Sequence, residues 1–205
     1  MKKTLYLTIV TVLFSTCSND TDCSGFPEKR KVWLPYYKGE LVNFSSGNAS
    51  QSFAFNDVYS TLPYTIHGNE SLDCECMTHC YSDIDSANNI QMKCDAEKLK
   101  LRTEYKIQFQ HFGWQSKYYV PTQIDFFEFD IKTDDKIEGG EIIDELELNN
   151  QIYNDVLKIE IDTISNKKTE IYKVYLAPEC GIIRYDYRNG KSFKITDAAT
   201  IIDSL

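Results

Sequence analysis

Asp73 to Cys80 reads DCECMTHC, three cysteines and one histidine in eight residues. Thiols and imidazoles at that density serve metal binding, thiol–disulfide redox chemistry or covalent cross-linking. With Cys94 the run offers four thiols, and His79 adds an imidazole, so a zinc ion would have donors enough. However, Cys74 and Cys76 are separated by one residue, not the two to four of a zinc ribbon. The Cys-x-x-Cys of a thioredoxin-type centre is absent from the sequence. No metal site and no cofactor is therefore assigned.

The remaining candidates for chemistry are sparse. There are three histidines, His67, His79 and His111. His67 precedes Gly-Asn in a turn-like stretch and His111 sits in QHFGW after a strand-like run, so both read as loop or surface residues. Gly-x-Ser-x-Gly, His-Glu-x-x-His and Gly-rich phosphate loops are all missing. A Cys–His pair built on His79 would need a low-pKa thiol. The acidic run Asp130, Asp134, Asp135, Glu138, Glu141, Asp144 and Glu145 lacks the spacing of a calcium loop and reads as a solvated hairpin tip. No catalytic residue is assigned. Trp33, Tyr36, Tyr37, Trp114, Tyr118 and Tyr119 form aromatic groups that either fill a core or stack on sugar rings and apolar ligands.

Location decides among the cysteine chemistries. Lys2 and Lys3 precede the apolar run Leu5–Phe14, too short to span ~30 Å of hydrocarbon and fit for a signal-peptide h-region. Ser15 and Thr16 lead into Cys17. This arrangement resembles the lipobox of bacterial lipoproteins, with Phe14 and Thr16 where that pattern usually carries an aliphatic and a small residue. The resemblance implies removal of residues 1–16, acylation (palmitate among the chains) of Cys17 and an outer-membrane anchor. Ordinary signal cleavage with a secreted product is the alternative. Residues 17–31, polar and acidic after Cys17, read as a tether, and Asp20 and Asp22 resemble a Bacteroidetes surface-export signal.

Loss of residues 1–16 moves the formal charge from −9 to −11, which argues against nucleic acid as a partner. In an oxidising envelope the cysteines favour disulfides. The candidates are Cys23, Cys74, Cys76, Cys80, Cys94 and Cys180, which allow 15 connectivities. Two bridges within Cys74, Cys76, Cys80 and Cys94 are expected, leaving Cys23 and Cys180 to pair or stay free. Asp-Ser-Ala at 85–87 resembles an O-glycosylation sequon of Bacteroidetes envelope proteins and makes Ser86 a candidate; 162–164 and 203–205 match it as well.

The elements that must position these residues read as strands. KLKLRTEYKIQF puts Leu99, Leu101, Thr103, Tyr105, Ile107 and Phe109 on one face, and SQSFAFNDVY sets Phe53 and Phe55 against Ser52, Ala54 and Asn56. Turn residues recur between such runs, and Asn189-Gly190 predicts a type I′ hairpin. The stretch 95–99 and the tail predict a helical turn at most, and HFGWQSK a loop between two layers. The expectation is an all-β single domain over 32–205: an antiparallel curved sheet, half-barrel or sandwich, of about 10–12 strands with little helix.

Val156, Leu157, Ala177, Pro178, Gly181, Ile182, Ile183 and Arg184 complete a pattern, Ala-Pro-x-x-Gly-Ile-Ile-Arg at its centre, that resembles uncharacterised bacterial envelope lipoproteins. In those families the strands form curved half-barrels like those of lipoprotein carriers, which implies the same here. Glu179 and Cys180 depart from that pattern. Together these readings give a lipid-anchored, non-enzymatic envelope protein that binds an apolar or glycan ligand. The alternatives are a structural or interaction component with an envelope protein partner, and lastly a hydrolase.

Overall fold

A computed structural model describes residues 25–61, 64–67, 72–161, 170–196, 200 and 201; for 64–67, 72–75, 200 and 201 only the backbone course is described. Cys17, Cys23, the signal segment, the sequon matches at 162–164 and 203–205, and the Cys74 side chain lie outside the described residues.

One short helix, α1 (Glu28–Lys31), precedes the strands β1 (Glu40–Ser46), β2 (Ala49–Ser60), β3 (Tyr64–His67), β4 (Leu72–Ser82) and β5 (Ile90–Lys98). Next come β6 (Arg102–Gln115), β7 (Tyr118–Lys132), β8 (Ile137–Glu138), β9 (Glu141–Leu148) and β10 (Gln151–Glu160). The chain finishes with β11 (Ile171–Ala177), β12 (Gly181–Tyr187), β13 (Ser192–Ile195) and β14 (Thr200–Ile201). Twelve strands run antiparallel in the order β8-β7-β6-β5-β4-β2-β1-β13-β12-β11-β10-β9, with β3 beside β4 and β14 beside β1. The sheet curls into a half-barrel, as the lipoprotein resemblance implied.

The alternation sorts the faces. Tyr105, Ile107 and Phe109 of β6 point inward while Lys106 and Gln108 point out, and Phe53 and Phe55 of β2 obey the same rule. Tyr185 sits at the centre, with Phe44, Phe53, Phe109 and Phe193 rings within 6.4 Å of its own. Each such buried ring contributes roughly 1.5–3 kcal/mol. The concave face is therefore filled by the protein's own side chains.

Several local expectations are corrected. Leu99 and Leu101 do not extend β6; they lie in the β5–β6 turn, where Leu99 N–H donates to Arg102 O (2.8 Å) and Leu101 is exposed. The stretch 95–98 is strand, since Cys94 and Ala96 continue the inward alternation. HFGWQSK is no inter-layer loop: β6 and β7 run through it as one long hairpin turning at Ser116-Lys117. At Asn189-Gly190 only the glycine has positive φ (87°), with Gly190 N–H donating to Tyr187 O and Tyr187 N–H to Lys191 O, the pattern of a three-residue loop. The two-residue turns with positive φ at both centres are Ser116-Lys117 (47° and 89°) and Asn149-Asn150 (52° and 64°).

The packed body also begins before residue 32. Phe26 is buried, and residues 26–37 fold across one end of the half-barrel as a plug. Trp33 meets Phe129 edge-on, Tyr36 stacks on Phe55 at 4.2 Å, and Tyr105 Oη donates to Arg30 O (2.7 Å). Of the stretch 17–31 read as tether, residues 26–31 thus pack against the body, through the buried Phe26 ring and the Arg30 carbonyl.

The sheet's first and last strands in the pairing order, β8 and β9, are separated in the chain only by Gly139 and Gly140. A Cβ on Gly139, which has φ +94°, would stand 2.8 Å from Glu128 O of β7. One on Gly140 would stand 2.6 Å from Leu157 Cδ1 of β10. The two glycines thus carry the chain between β7 and β10, and these strands pack against each other.

Candidate functional site

The plugged end keeps a cavity of about 270 Å³ on the concave side. Its walls come from the plug (Pro35, Tyr37), β1 (Glu40, Val42), β13 (Ile195), β10 (Gln151, Tyr153) and the β11–β12 turn (Glu179, Cys180). The local sequence explains each contribution. Glu40 and Val42 share the inward parity of Phe44, so β1 turns a carboxylate into the barrel end. The Asn149-Asn150 turn folds towards β13, where Asn149 Nδ2–H donates to Ile195 O (2.8 Å), and this brings Gln151 and Tyr153 to the cavity. Gly181, at φ +68°, sits where a Cβ would lie 2.7 Å from Tyr36 Oη, so the β11–β12 turn closes directly onto the plug.

Glu40 is buried, and desolvation raises its carboxyl pKa above the ordinary value of 4.5 despite the hydrogen bond it accepts from Tyr37 N–H (2.9 Å). Burial, with the nearby Cys180, raises the Tyr153 phenol, and burial with Glu179 raises the Cys180 thiol. The site therefore offers hydrogen-bonding groups that resist ionisation or hold charge at a cost, flanked by two tyrosines. It is chemically suited to a small, neutral, polyhydroxylated ligand lying against an aromatic wall.

A second feature is the far end of the β6–β7 hairpin, which runs past β5, whose last partner on β6 is His111. Trp114 and Tyr119 face each other across the hairpin, centroids 5.2 Å apart and interplanar angle 86°. Trp114, Tyr118 and Ile124 are more than half exposed, and Tyr119 nearly so. The aromatic residues singled out in the sequence thus divide: Trp33 and Tyr36 are core, while Tyr37, Trp114, Tyr118 and Tyr119 are exposed.

Two histidines, His79 and His111, are tied to carboxylates, and the His67 side chain lies outside the described residues. His79 Nδ1 lies 2.6 Å from Asp95 Oδ1, and its ring stacks beside Tyr81 and Tyr59 on the outer face. His111 Nε2 lies 2.6 Å from Asp125 Oδ2 and lines a cavity of about 250 Å³ with Gln51, Tyr187 and Lys191. Asp125 is fully buried, and it also accepts from Ile171 N–H and Gln123 Nε2–H. Among the described residues neither of these imidazole rings is bonded to a serine, threonine or cysteine; Thr122 Oγ1–H donates to the His111 backbone carbonyl, not to the ring. This His111–Asp125 pair was not legible beforehand, because its members belong to different strands and only the register brings them together.

Cys76, Cys80, Cys94 and Cys180 stand as thiols in this structure, not in the two bridges expected within Cys74, Cys76, Cys80 and Cys94. Burial pushes Cys80 up to about 12 and holds Cys94 well above the ordinary thiol value, so neither is a ready nucleophile. Among the described residues no three His, Cys, Asp or Glu side chains converge on a metal-sized space. The acidic run is largely neutralised: Asp130 pairs with Arg102, Asp135 with Arg30, Glu138 with Lys132 and Lys136, and Glu141 with Lys158. Ser86 is exposed in the turn after Asp85, whose carboxylate accepts from Ser52, Ala87 and Asn88 backbone N–H groups. The Ala-Pro-x-x-Gly-Ile-Ile-Arg stretch is explained by packing: Gly181 clears Tyr36, Ile182 pairs with Leu176, Ile183 is the extra residue of a bulge, and Arg184 lies over Tyr175 and pairs with Asp186.

No family model, curated protein or solved structure matches the chain.

Proposed function

We propose that the chain is a non-enzymatic binding protein of the cell envelope that holds a sugar residue in the cavity at its plugged end. Supporting this most directly is that cavity of about 270 Å³, where Tyr37 and Tyr153 stand beside Glu40, Gln151 and Glu179. A filled concave face leaves little room for a long apolar ligand, whereas a single polar ring matches both the size and the mixed lining. The carboxylate-paired His79 and His111 and the core-buried Cys80 and Cys94 support a role without catalysis. Residues 1–16 serve as signal peptide and Cys17 as the acylated outer-membrane anchor in this reading, and Ser86 as an O-glycan acceptor. Residue 25 lies at the plugged end, so the eight residues from Cys17 reach at most about 30 Å. The sugar site would then face the membrane side and the hairpin head would point away.

Glycan-array screening followed by calorimetry tests the sugar site. Glu40→Gln and Tyr37→Ala should each weaken binding about tenfold or more, the size of one lost charged hydrogen bond or aromatic contact. An array without binders, or affinities untouched by both substitutions, would sink the proposal. Incorporation of a palmitate analogue, lost in Cys17→Ser, tests the anchor separately.

A second reading rests on the exposed Trp114, Tyr118 and Tyr119 of the hairpin head, the residue types that dominate protein interfaces. It makes the chain an interaction component. An envelope protein should then co-purify after gentle detergent extraction and be lost on Trp114→Ala.

A further inference from the structure

The register of β4 on β5 sets Cys80 directly opposite Cys94. Both side chains face the core: Cys76, Thr78, Cys80 and Ser82 alternate inward along β4, and Met92, Cys94 and Ala96 along β5. Directly opposed residues of an antiparallel pair have Cα atoms ~4.5–5.5 Å apart, inside the range a disulfide spans. Cys76 is opposite Lys98, four residues from Cys80 along the strand, or about 13 Å. Cys74 is opposite Thr65, further still from both. Neither can reach Cys80 or Cys94, since bridged Cα atoms lie within about 7 Å. The four-cysteine set therefore accommodates one bridge across β4 and β5, not two.

We propose that Cys80 and Cys94 form a cross-strand disulfide that closes as β4 and β5 meet and is then sealed under the aromatic core. Each thiol gives up one proton and one electron as the S–S bond forms. The electron pair and both protons pass to a disulfide oxidant, glutathione disulfide or the active-site disulfide of a thiol oxidoreductase, whose own S–S bond breaks to two thiols. Both side chains are at most 1 % exposed once folded, so the exchange precedes closure of the core. The bond would staple the segment 81–93, including the Asp85 turn, to the two central strands.

Formation inside the cell rests on the export reading above, so the test separates the two. Reduced, purified chain is refolded with glutathione redox buffer, alkylated and digested with trypsin. Trypsin releases Cys94 in the peptide 94–98 and Cys74, Cys76 and Cys80 together in 39–93. The expected map links these two peptides, with the link abolished in Cys80→Ser, kept in Cys76→Ser, and the urea midpoint of the wild type lowered by reductant. Alkylated Cys94 in the refolded wild type, or a link that survives Cys80→Ser, overturns the pair. Cyanogen bromide cleavage of the wild type after Met77 and Met92 isolates Cys80 in the peptide 78–92, away from Cys74 and Cys76, and its link to Cys94 after trypsin gives the same answer should the serine variants fail to fold. Chain taken from cells with Cys94 free, beside a bridged refolded sample, would overturn the export reading and leave the pair standing.

Discussion

Gly181 shows how one missing side chain shapes the site. Its φ of +68° and the Tyr36 ring, 2.7–2.8 Å from where a Cβ would stand, exclude any other residue without displacement of the plug. Gly181→Ala is expected to cost about 2–4 kcal/mol, combining left-handed strain with overpacking, read as a lower urea midpoint. Glu40 makes the complementary case. Its pKa is raised by burial, so the folded state binds the proton more tightly than the unfolded chain at 4.5. Wild-type stability therefore falls as pH rises from 4.5 through the raised folded value, while Glu40→Gln avoids that loss and keeps an acceptor for Tyr37 N–H. The variant should gain on the wild type above that window and lose the advantage below about pH 4.5, measured by denaturation across pH. Gly181 was visible in the sequence as part of a pattern, but its reason lies in Tyr36, far earlier in the chain. The inward direction of Glu40 needed the parity of β1, which starts one residue after Gly39.

Among the elements, strands were readable and turns less so. Alternation placed Phe53, Phe55, Tyr105, Ile107 and Phe109 correctly, because period-two burial is local. The same pattern overran into Leu99 and Leu101, where chain reversal overrode it. Turn geometry followed the strands more than the residue types. Asn189-Gly190 adopted a three-residue loop, while Ser116-Lys117, with no glycine or asparagine, was drawn into positive φ at both centres. The long pairing of β6 with β7 enforces that cost at the hairpin head. Replacing Ser116 by Asn and Lys117 by Gly should raise stability by about 1–2 kcal/mol, followed as an increase in the urea midpoint. If the head serves as an interface, capture of its partner should survive this change, since Trp114, Tyr118 and Tyr119 are untouched.

For the whole molecule, composition and alternation announced an all-β antiparallel sheet and the lipoprotein resemblance its curvature, while the order of the strands stayed hidden. Nothing in Ile137–Leu148 marks a strand that changes partners, because the pairing of β8 with β7 and of β9 with β10 depends on residues elsewhere in the chain. The cysteines followed the same logic: their types were plain, their partners a matter of register. The glycine pair between β8 and β9 has one more effect. It ties together the two ends of the pairing order, where β8 covers β7 only at Asp130 and Ile131 and β9 is the last strand, so both edges keep backbone donors and acceptors that would invite a foreign strand. A single peptide-bond cut between Gly139 and Gly140 would remove no side chain from the core. It would release the short covalent tie between the two ends of the curled sheet, leaving the edges of β7 and β9 free to part and to meet a foreign strand.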